Sequence, residues 1–464
     1  MALTRREALA LVAMAFGVIM DGLDASIVSI AIPSIAESFG TDTSEVALVT
    51  IMYFVMIAGL MLTFGRIADS GHIKKIYIAG FAIFSLASLM CGLSDQLYTL
   101  VAARTLQGVG AAMLGSVAPM ICVKFLPPEK LGLAMSVLIV GGSIGFGSGP
   151  ALGGILVDLA TWHWAFFINV PIGIIAIAFA MYALPKDAPA EKAKLDLKGC
   201  LLLFAAVICG VYALEMFSRD GQAMICVFMA LLMAILLVLF KQAEKRASHP
   251  ILSPGMFKDW RFDSSMVCYL ILNLCFVGMA YLLPFYLTKE LGLNYSFSGF
   301  LLLIPSAISM VLSIPAGHYA DTHGKRGLAL LSTLCLLLTS VGYAVINPDM
   351  GWLPFLPIGV FSGIVWGVCG ASITARIVDL APKDERGMAA SLSNFLYYIG
   401  GAMGTALFAS LITIGAGASG IPVEDIPTED FMNGFTFSMI WAVALSLLAI
   451  FTAWVINEKK MRAS

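Results

Sequence analysis

Charge is scarce in this chain. Asp, Glu, Lys and Arg make up only 12% of its 464 residues, about half the share in an ordinary soluble domain. The formal net charge is −2, so nothing offers the basic face that a nucleic-acid partner needs. Histidine is rarer still, five residues thinly spread. No His/Cys/Asp cluster has metal-ligand spacing, so no metal is expected. The nine cysteines stand singly in or beside apolar segments without a CxxC pair, and read as small apolar filler. A glycine-rich phosphate loop of the Walker type is absent, which argues against ATP as the energy source. No nucleophile–base arrangement stands out either, so the chain is not expected to be an enzyme.

What is present is apolar length. Hydrophobic residues make up 60% of the chain, and polar punctuation divides them into fourteen runs. They cover about 8–34, 45–65, 76–94, 97–123, 131–157, 163–184, 197–217, 221–241, 264–289, 296–318, 327–346, 352–378, 387–412 and 431–457. Most have the roughly 20 apolar residues that a membrane-spanning helix requires. The first run follows Arg5 and Arg6 without a small-residue cleavage site, and so reads as a retained helix. With the N-terminus inside, all of the 27 Lys and Arg except Arg104, Arg219 and Lys289 fall on the cytoplasmic side or at its edge. That asymmetry fits the excess of Lys and Arg in cytoplasmic loops. An even number of spans with both termini cytoplasmic is therefore expected.

The chain also repeats itself weakly. Gly65-Arg66-Ile67-Ala68-Asp69 recurs as Gly317-His318-Tyr319-Ala320-Asp321. Aligning Gly132 with Gly387 pairs Gly145 with Gly400 and Gly149 with Gly404. The expected architecture is an all-α polytopic membrane protein. Two six-helix bundles, 1–186 and 263–464, would be related by a pseudo-twofold and separated by two inserted helices at 187–262. Parallel repeats of this kind place a substrate path between the halves near the midplane.

Two acids interrupt the first run. Asp21 and Asp24 are three residues apart, so they share roughly one helix face. Charge at that depth is costly and marks a proton or ion path, or a partner. Arg104, in the fourth run, lies at a similar depth to Asp24, and the two can form a buried pair. Asp21 has no obvious partner in the sequence and reads as a freely titrating site, or as a place for a second positive charge. Gly141, Gly145, Gly149 and Gly153 stand four apart, a smooth stripe for close helix packing. Pro150 removes one helical hydrogen bond beside it. Tyr53, Gln107, Asn273, Tyr281, Asn394, Tyr397 and Tyr398 are midplane polar or aromatic residues that could line a cavity for lipophilic cations.

These residues resemble the major facilitator superfamily, in particular its fourteen-helix drug:proton antiporters. Leu23 through Pro33 is similar to the first-helix signature of that group, and Arg104-Thr105-Leu106-Gln107-Gly108 to its fourth-helix Arg motif. Gly141 through Gly154 resembles its antiporter motif, and Trp162 through Gly173 the start of its sixth helix. The loop after the second run departs from the family pattern. Gly65, Asp69 and Lys74 fit. Ser70, His72 and Ile73 stand where Arg, Gly and a basic residue are usual, and Lys75 lies one place beyond. The second copy, with Gly317, Asp321, Lys325 and Arg326, is closer.

The resemblance implies a multidrug efflux protein of the cell membrane. Amphipathic, cationic compounds would leave in exchange for protons, by alternating access. Asp24, Asp21 and Arg104 would couple the exchange, and the Gly65/Asp69/Lys74/Lys75 and Asp321/Lys325/Arg326 sets would form a cytoplasmic latch. No cofactor beyond the proton gradient is implied. The partners would be the bilayer, the small substrate and protons, and the protein would be a monomer. Two alternatives stay open: an exporter of a lipid, siderophore or metabolite on the same fold, and a transporter-like sensor that moves nothing.

Overall fold

The computed structural model describes residues 4–41, 43–125, 131–187, 197–216, 222–247, 257, 259–382, 386–418 and 427–455. Every regular element among them is helical. The first six spans are α1 (Arg5–Phe39), α2 (Thr43–Ile67), α3 (Ile73–Gly92), α4 (Leu97–Phe125), α5 (Leu131–Leu159) and α6 (Trp164–Ala183). Two more follow, α7 (Leu197–Met216) and α8 (Ala223–Arg246). The last six are α9 (Trp260–Phe285), α10 (Tyr295–His323), α11 (Arg326–Val345), α12 (Phe355–Leu380), α13 (Arg386–Gly415) and α14 (Thr428–Val455). Thirteen of them are long and apolar enough to cross a membrane, and α7 is apolar and somewhat shorter.

Polar caps carry several helices beyond their apolar cores. Thr4 and Glu7 form a reciprocal capping box, so α1 starts at Arg5, before the apolar run. Asp259 caps α9 and starts it at Trp260, so the expected boundary at 263 falls inside a helix. The join expected near 187 borders residues outside the described set. Between α2 and α3 the chain reverses through Ala68–His72, where Gly71 takes a φ of 109° that side chains rarely adopt.

Packing repeats as the sequence does. In the first bundle α1 packs on α5, α2 on α4, and α3 on α4 and α6. The last six reproduce this arrangement: α9 on α13, α10 on α12, and α11 on α12 and α14. The bundles meet along two seams, α5 with α10 and α2 with α13, which correspond under the same repeat. The inserted pair α7–α8 sits against α2 and α13 through α7, beside the second seam. There Phe204 fills the space over Gly59, and the Ser410 hydroxyl donates to the Leu214 carbonyl at 2.8 Å.

The glycine stripe packs backbone on backbone, but within the first bundle. A Cβ on Gly145 would lie 2.3 Å from the Ile19 carbonyl oxygen, and one on Gly149 2.9 Å from that of Leu23. One on Gly153 would lie 2.8 Å from the Ile27 carbonyl oxygen. Gly141, nearer the start of α5, has ordinary room against Ile19. Gly404 repeats the arrangement, 2.2 Å from the Leu274 carbonyl oxygen. The seam between bundles uses another face of α5. A Cβ on Gly154 would lie 2.3 Å from the Tyr295 carbonyl oxygen, and one on Gly299 2.2 Å from that of Pro150. Asp158 completes this end by accepting from the backbone N–H groups of Tyr295 and Ser296, at 3.2 and 2.7 Å. The seal between the halves therefore rests on Gly154 and Gly299 more than on the four-residue stripe. Gly299→Val should part α5 from α10, at a cost of about 1–3 kcal/mol for overpacking. The expected result is a raised passive proton leak in vesicles at normal protein level; unchanged leak and melting temperature would reject the seal.

Candidate functional site

Asp24 and Arg104 meet. The Arg104 Nη1 lies 2.6 Å from Asp24 Oδ2, and both side chains are 0% exposed. Three further side chains close a cage around the pair. Gln107 donates to Asp24 Oδ1 at 2.8 Å and to the Ser88 hydroxyl at 2.7 Å, while its own oxygen accepts from Arg104 at 2.8 Å. Asn169 donates to Asp24 Oδ1 at 2.7 Å. Arg104 Nε reaches the Val49 carbonyl at 3.3 Å, and the guanidinium lies 4.0 Å from the centre of the Tyr53 ring. Five helices of the first bundle thus meet around the pair. These bonds offset much of the cost of holding a charge pair out of water, though Arg104 Nη2 and Asn169 Oδ1 are buried without a partner. Gln107 belongs to this cage and not to a cavity wall. Asn169 and Ser88 are the residues that sequence reasoning missed; Asn169 does stand inside the resembling stretch Trp162 through Gly173.

Asp21 is placed differently. It is half-buried, and its two oxygens accept from hydroxyls of both bundles. Tyr53 of α2 donates to Oδ1 at 3.0 Å, and Tyr398 of α13 to Oδ2 at 2.5 Å. Asp21 therefore does have partners, against the expectation of an unpartnered acid, and one of them belongs to the other bundle. Asp158 also makes side-chain hydrogen bonds between the bundles, to the backbone of Tyr295 and Ser296.

The same tyrosines open a belt of aromatic rings. Ring centres are 5.7 Å apart for Tyr53 and Phe54, 6.2 Å for Phe54 and Tyr398, and 4.9 Å for Tyr398 and Tyr397. The belt continues through Trp366 at 5.8 Å, Phe276 at 5.0 Å and Phe146 at 5.9 Å. All fall in the range where aromatic pairs attract. Phe146 returns the belt to α1, where its backbone N would lie 2.9 Å from a Cβ on Gly22.

Beside the belt, between the bundles, lies a small cavity of about 60 Å³. Phe54, Phe146, Phe276 and Tyr281 wall it, with Pro150 on one side and its repeat counterpart Thr405 on the other. Ser26, Ser29, Thr50, Ser306 and Ser362 add hydroxyls. Of the expected cavity residues only Tyr281 is in this wall. Tyr53, Tyr397 and Tyr398 belong to the belt. Asn273 is buried where α9 meets α13 and donates to the Tyr269 carbonyl at 2.7 Å, while Asn394 is half-buried on α13 outside the wall.

Residues 14–405 match the description Major Facilitator Superfamily. The chain belongs to that superfamily of transporters. Two bacterial members show the degree of likeness. One is the riboflavin transporter RibZ of Clostridioides difficile (strain 630), 29% identical over 409 residues, covering 88% of each chain. Another is multidrug resistance protein 3 of Bacillus subtilis (strain 168), 28% identical over 86% of this chain and 78% of that protein. Among solved structures, a bacterial homologue of the human lysosomal transporter Spinster, inward-facing and occupied, superimposes with a TM-score of 0.69. That likeness covers 98% of this chain and 97% of that one at 14% identity, and shows the shared fold.

In this superfamily member the loop residues expected to form a latch tie helices within each bundle. Lys74 Nζ donates to the Met181 and Leu184 carbonyls at the end of α6, both at 2.6 Å. The carboxylate of Asp187 accepts from the backbone N–H groups of Lys74 and Lys75, at 2.7 and 3.1 Å. Cation at a helix C-terminus and anion at a helix N-terminus both complement the helix dipole. The Lys75 side chain is exposed, and Gly65 has room for a side chain. In the second bundle Lys325 pairs with Asp379, and Arg326 donates to the Trp454 carbonyl at 3.3 Å. The side chains of Asp69 and Asp321 lie outside the described set.

Proposed function

We propose that the protein is a proton-coupled antiporter that exports amphipathic aromatic compounds by alternating access, with Asp21 as the group that carries the proton. The observation that carries this reading is the position of Asp21. It is the acid held jointly by Tyr53 of the first bundle and Tyr398 of the second. As a carboxylate it accepts both hydroxyls and ties the bundles together. Once protonated, the acid loses its charge, and its bonds to the two hydroxyls fall from charge-assisted to neutral, about half as strong. The tie across the bundles weakens, and the α5–α10 and α2–α13 seams are free to rock. Loss of the proton restores the tie. The Asp24–Arg104 cage keeps its charges and holds α1 in place, which argues against Asp24 as the main carrier.

The same reading puts the protein in the cytoplasmic membrane with both termini inside. The clustering of Lys74, Lys325 and Arg326 at one end, with Asp158 at the other, supports that orientation. The relative named for multidrug resistance supports a drug-like cargo. One named for riboflavin transport supports a second reading, export of a metabolite by the same machinery. The antiport reading is tested with purified protein in vesicles, using a lipophilic dye and an imposed pH difference. Wild type should move the dye only while the difference lasts. Tyr398→Phe removes the tie but not the acid, and should leave dye binding intact while flattening the dependence of transport on pH. Transport by that variant with a wild-type pH profile would reject the tie.

A further inference from the structure

We infer that Asp158 is a reversible latch between the outer ends of the bundles: seated on the N-terminus of α10, its carboxylate holds the cytoplasm-open state, and it must leave that helix end before the outer side can open. The inference deepens the transport reading above and rests on it for its orientation. The seam between α5 and α10 is closed unevenly along its length. At the Asp158 end it is backbone on backbone. A Cβ on Gly154 would lie 2.3 Å from the Tyr295 carbonyl oxygen, and one on Gly299 2.2 Å from that of Pro150. Farther in, a Cβ on Gly147 would lie 2.4 Å from the Ser306 Cβ. Gly317 stands about five helical turns beyond Gly299, and so on the same face of α10, yet a Cβ there would meet no atom within 4 Å. The described lysines at that end also stay within one bundle, Lys74 with the end of α6 and Lys325 with Asp379. Along this seam the bundles touch on the outer side and part toward the cytoplasm.

The first N–H groups of a helix have no partner within it. In α10 the side chain of Asn294 caps its own helix by accepting from Phe297 at 2.8 Å. The two N–H groups before that one, of Tyr295 and Ser296, are taken by Asp158 of the other bundle, at 3.2 and 2.7 Å. A carboxylate at this position also complements the positive end of the helix dipole. Its location makes the contact reversible. Asp158 is exposed, and Leu159 beside it is 82% exposed. On release the carboxylate and the two N–H groups pass into water, so none is left unpaired. The Asp24–Arg104 pair has no such exit, with both side chains 0% exposed. An acid at the surface is thus suited to open and close in each cycle, where a caged pair is not.

The test is the distance between the outer ends of α5 and α10 in the full-length protein in lipid nanodiscs. Spin labels are placed at Leu159 and Phe300, both exposed, through a ketone-bearing unnatural residue, so that the native cysteines stay untouched. Double electron–electron resonance then gives the populations of the short, closed distance and the long, open one. Wild type should populate mainly the short distance. Asp158→Asn keeps the size and one acceptor oxygen but loses the charge, and should raise the open-to-closed ratio about two- to fivefold. Asp158→Ala, which loses both hydrogen bonds, should raise it to about tenfold. The melting temperature should stay near that of wild type in both, since the contact is at the surface. Distances unchanged in both variants, or a wild type mostly open at this pair, would overturn the latch. So would an Asp158→Ala that opens only as it melts. Transport is scored separately in vesicles with a dye and an imposed pH difference. A shifted distance without dye movement by wild type keeps the latch and removes the antiport reading. Dye movement by wild type with unshifted distances does the reverse.

Discussion

Asp21→Asn is expected to reduce proton-driven export to the level of protein-free vesicles while leaving folding and ligand binding near wild type. Asparagine has the size of aspartate and can still accept from one tyrosine hydroxyl, so the packing around α1 is kept. What it loses is the ability to take up and release a proton, and with it the alternation between charge-assisted and neutral hydroxyl contacts. Those contacts link α1 to α2 at 3.0 Å and to α13 at 2.5 Å. A variant fixed in one state leaves the bundles tied or untied throughout the cycle. Export in vesicles with an imposed pH difference is the measurement, paired with a melting curve. Full export with the wild-type pH profile would remove Asp21 as the carrier. This expectation replaces a charge-selecting role for Asp21, because the acid faces two tyrosines and the cavity wall contains no acid.

Arg104→Ala should be the most damaging single change to the fold. It leaves Asp24 charged, 0% exposed and without its cation, and breaking a buried pair from one side costs about 3–5 kcal/mol. The Arg104 bonds to Gln107 and to the Val49 carbonyl go with it. The expected readout is a large fall in melting temperature and in the amount of protein in the membrane. Removing both charges, in Asp24→Asn with Arg104→Gln, should recover much of the loss, since the surviving amides can bond to one another. The folded fraction of Asp24→Asn alone should keep a pH-dependent transport profile. If Arg104→Ala melts like wild type, the cage is not structural. If Asp24→Asn folds normally but loses its pH dependence, then Asp24 carries the proton instead of Asp21.

Both predictions turn on contacts that differ in how far the sequence discloses them. Depth along a helix is legible, since each residue adds a fixed rise of about 1.5 Å. That rise placed Asp24 and Arg104 at one level, and the structure brings them to 2.6 Å. Close glycine spacing is legible for a similar reason, since residues four apart share a face, and Gly145, Gly149 and Gly153 do pack on α1. Which neighbour a face meets is another matter. Gly154 and Gly299 seal the bundles against each other, yet nothing in their spacing separates them from glycines packed within a bundle. The cavity residues show the same limit. Midplane polarity selected Gln107 and Asn273, but an amide at mid-depth serves a buried carboxylate or a helix carbonyl as readily as a ligand.

The sequence by itself determined the solvent, the span count and the repeat. Apolar runs of membrane-crossing length, scarce charge and recurring Gly-x-x-x-Asp loops are local properties, carried by composition and spacing. It also determined that α1 carries two acids that need a reason to be there. Only the tertiary structure decided what each acid does with its charge. Asp24 turns toward α4 and α6 and is caged, whereas Asp21, three residues earlier, reaches Tyr53 and, in the other bundle, Tyr398. The two positions are nearly equivalent on a helical wheel. They become different because α2 and α13 meet beside one of them, and that seam depends on how two bundles come together to join residues 377 apart in the chain.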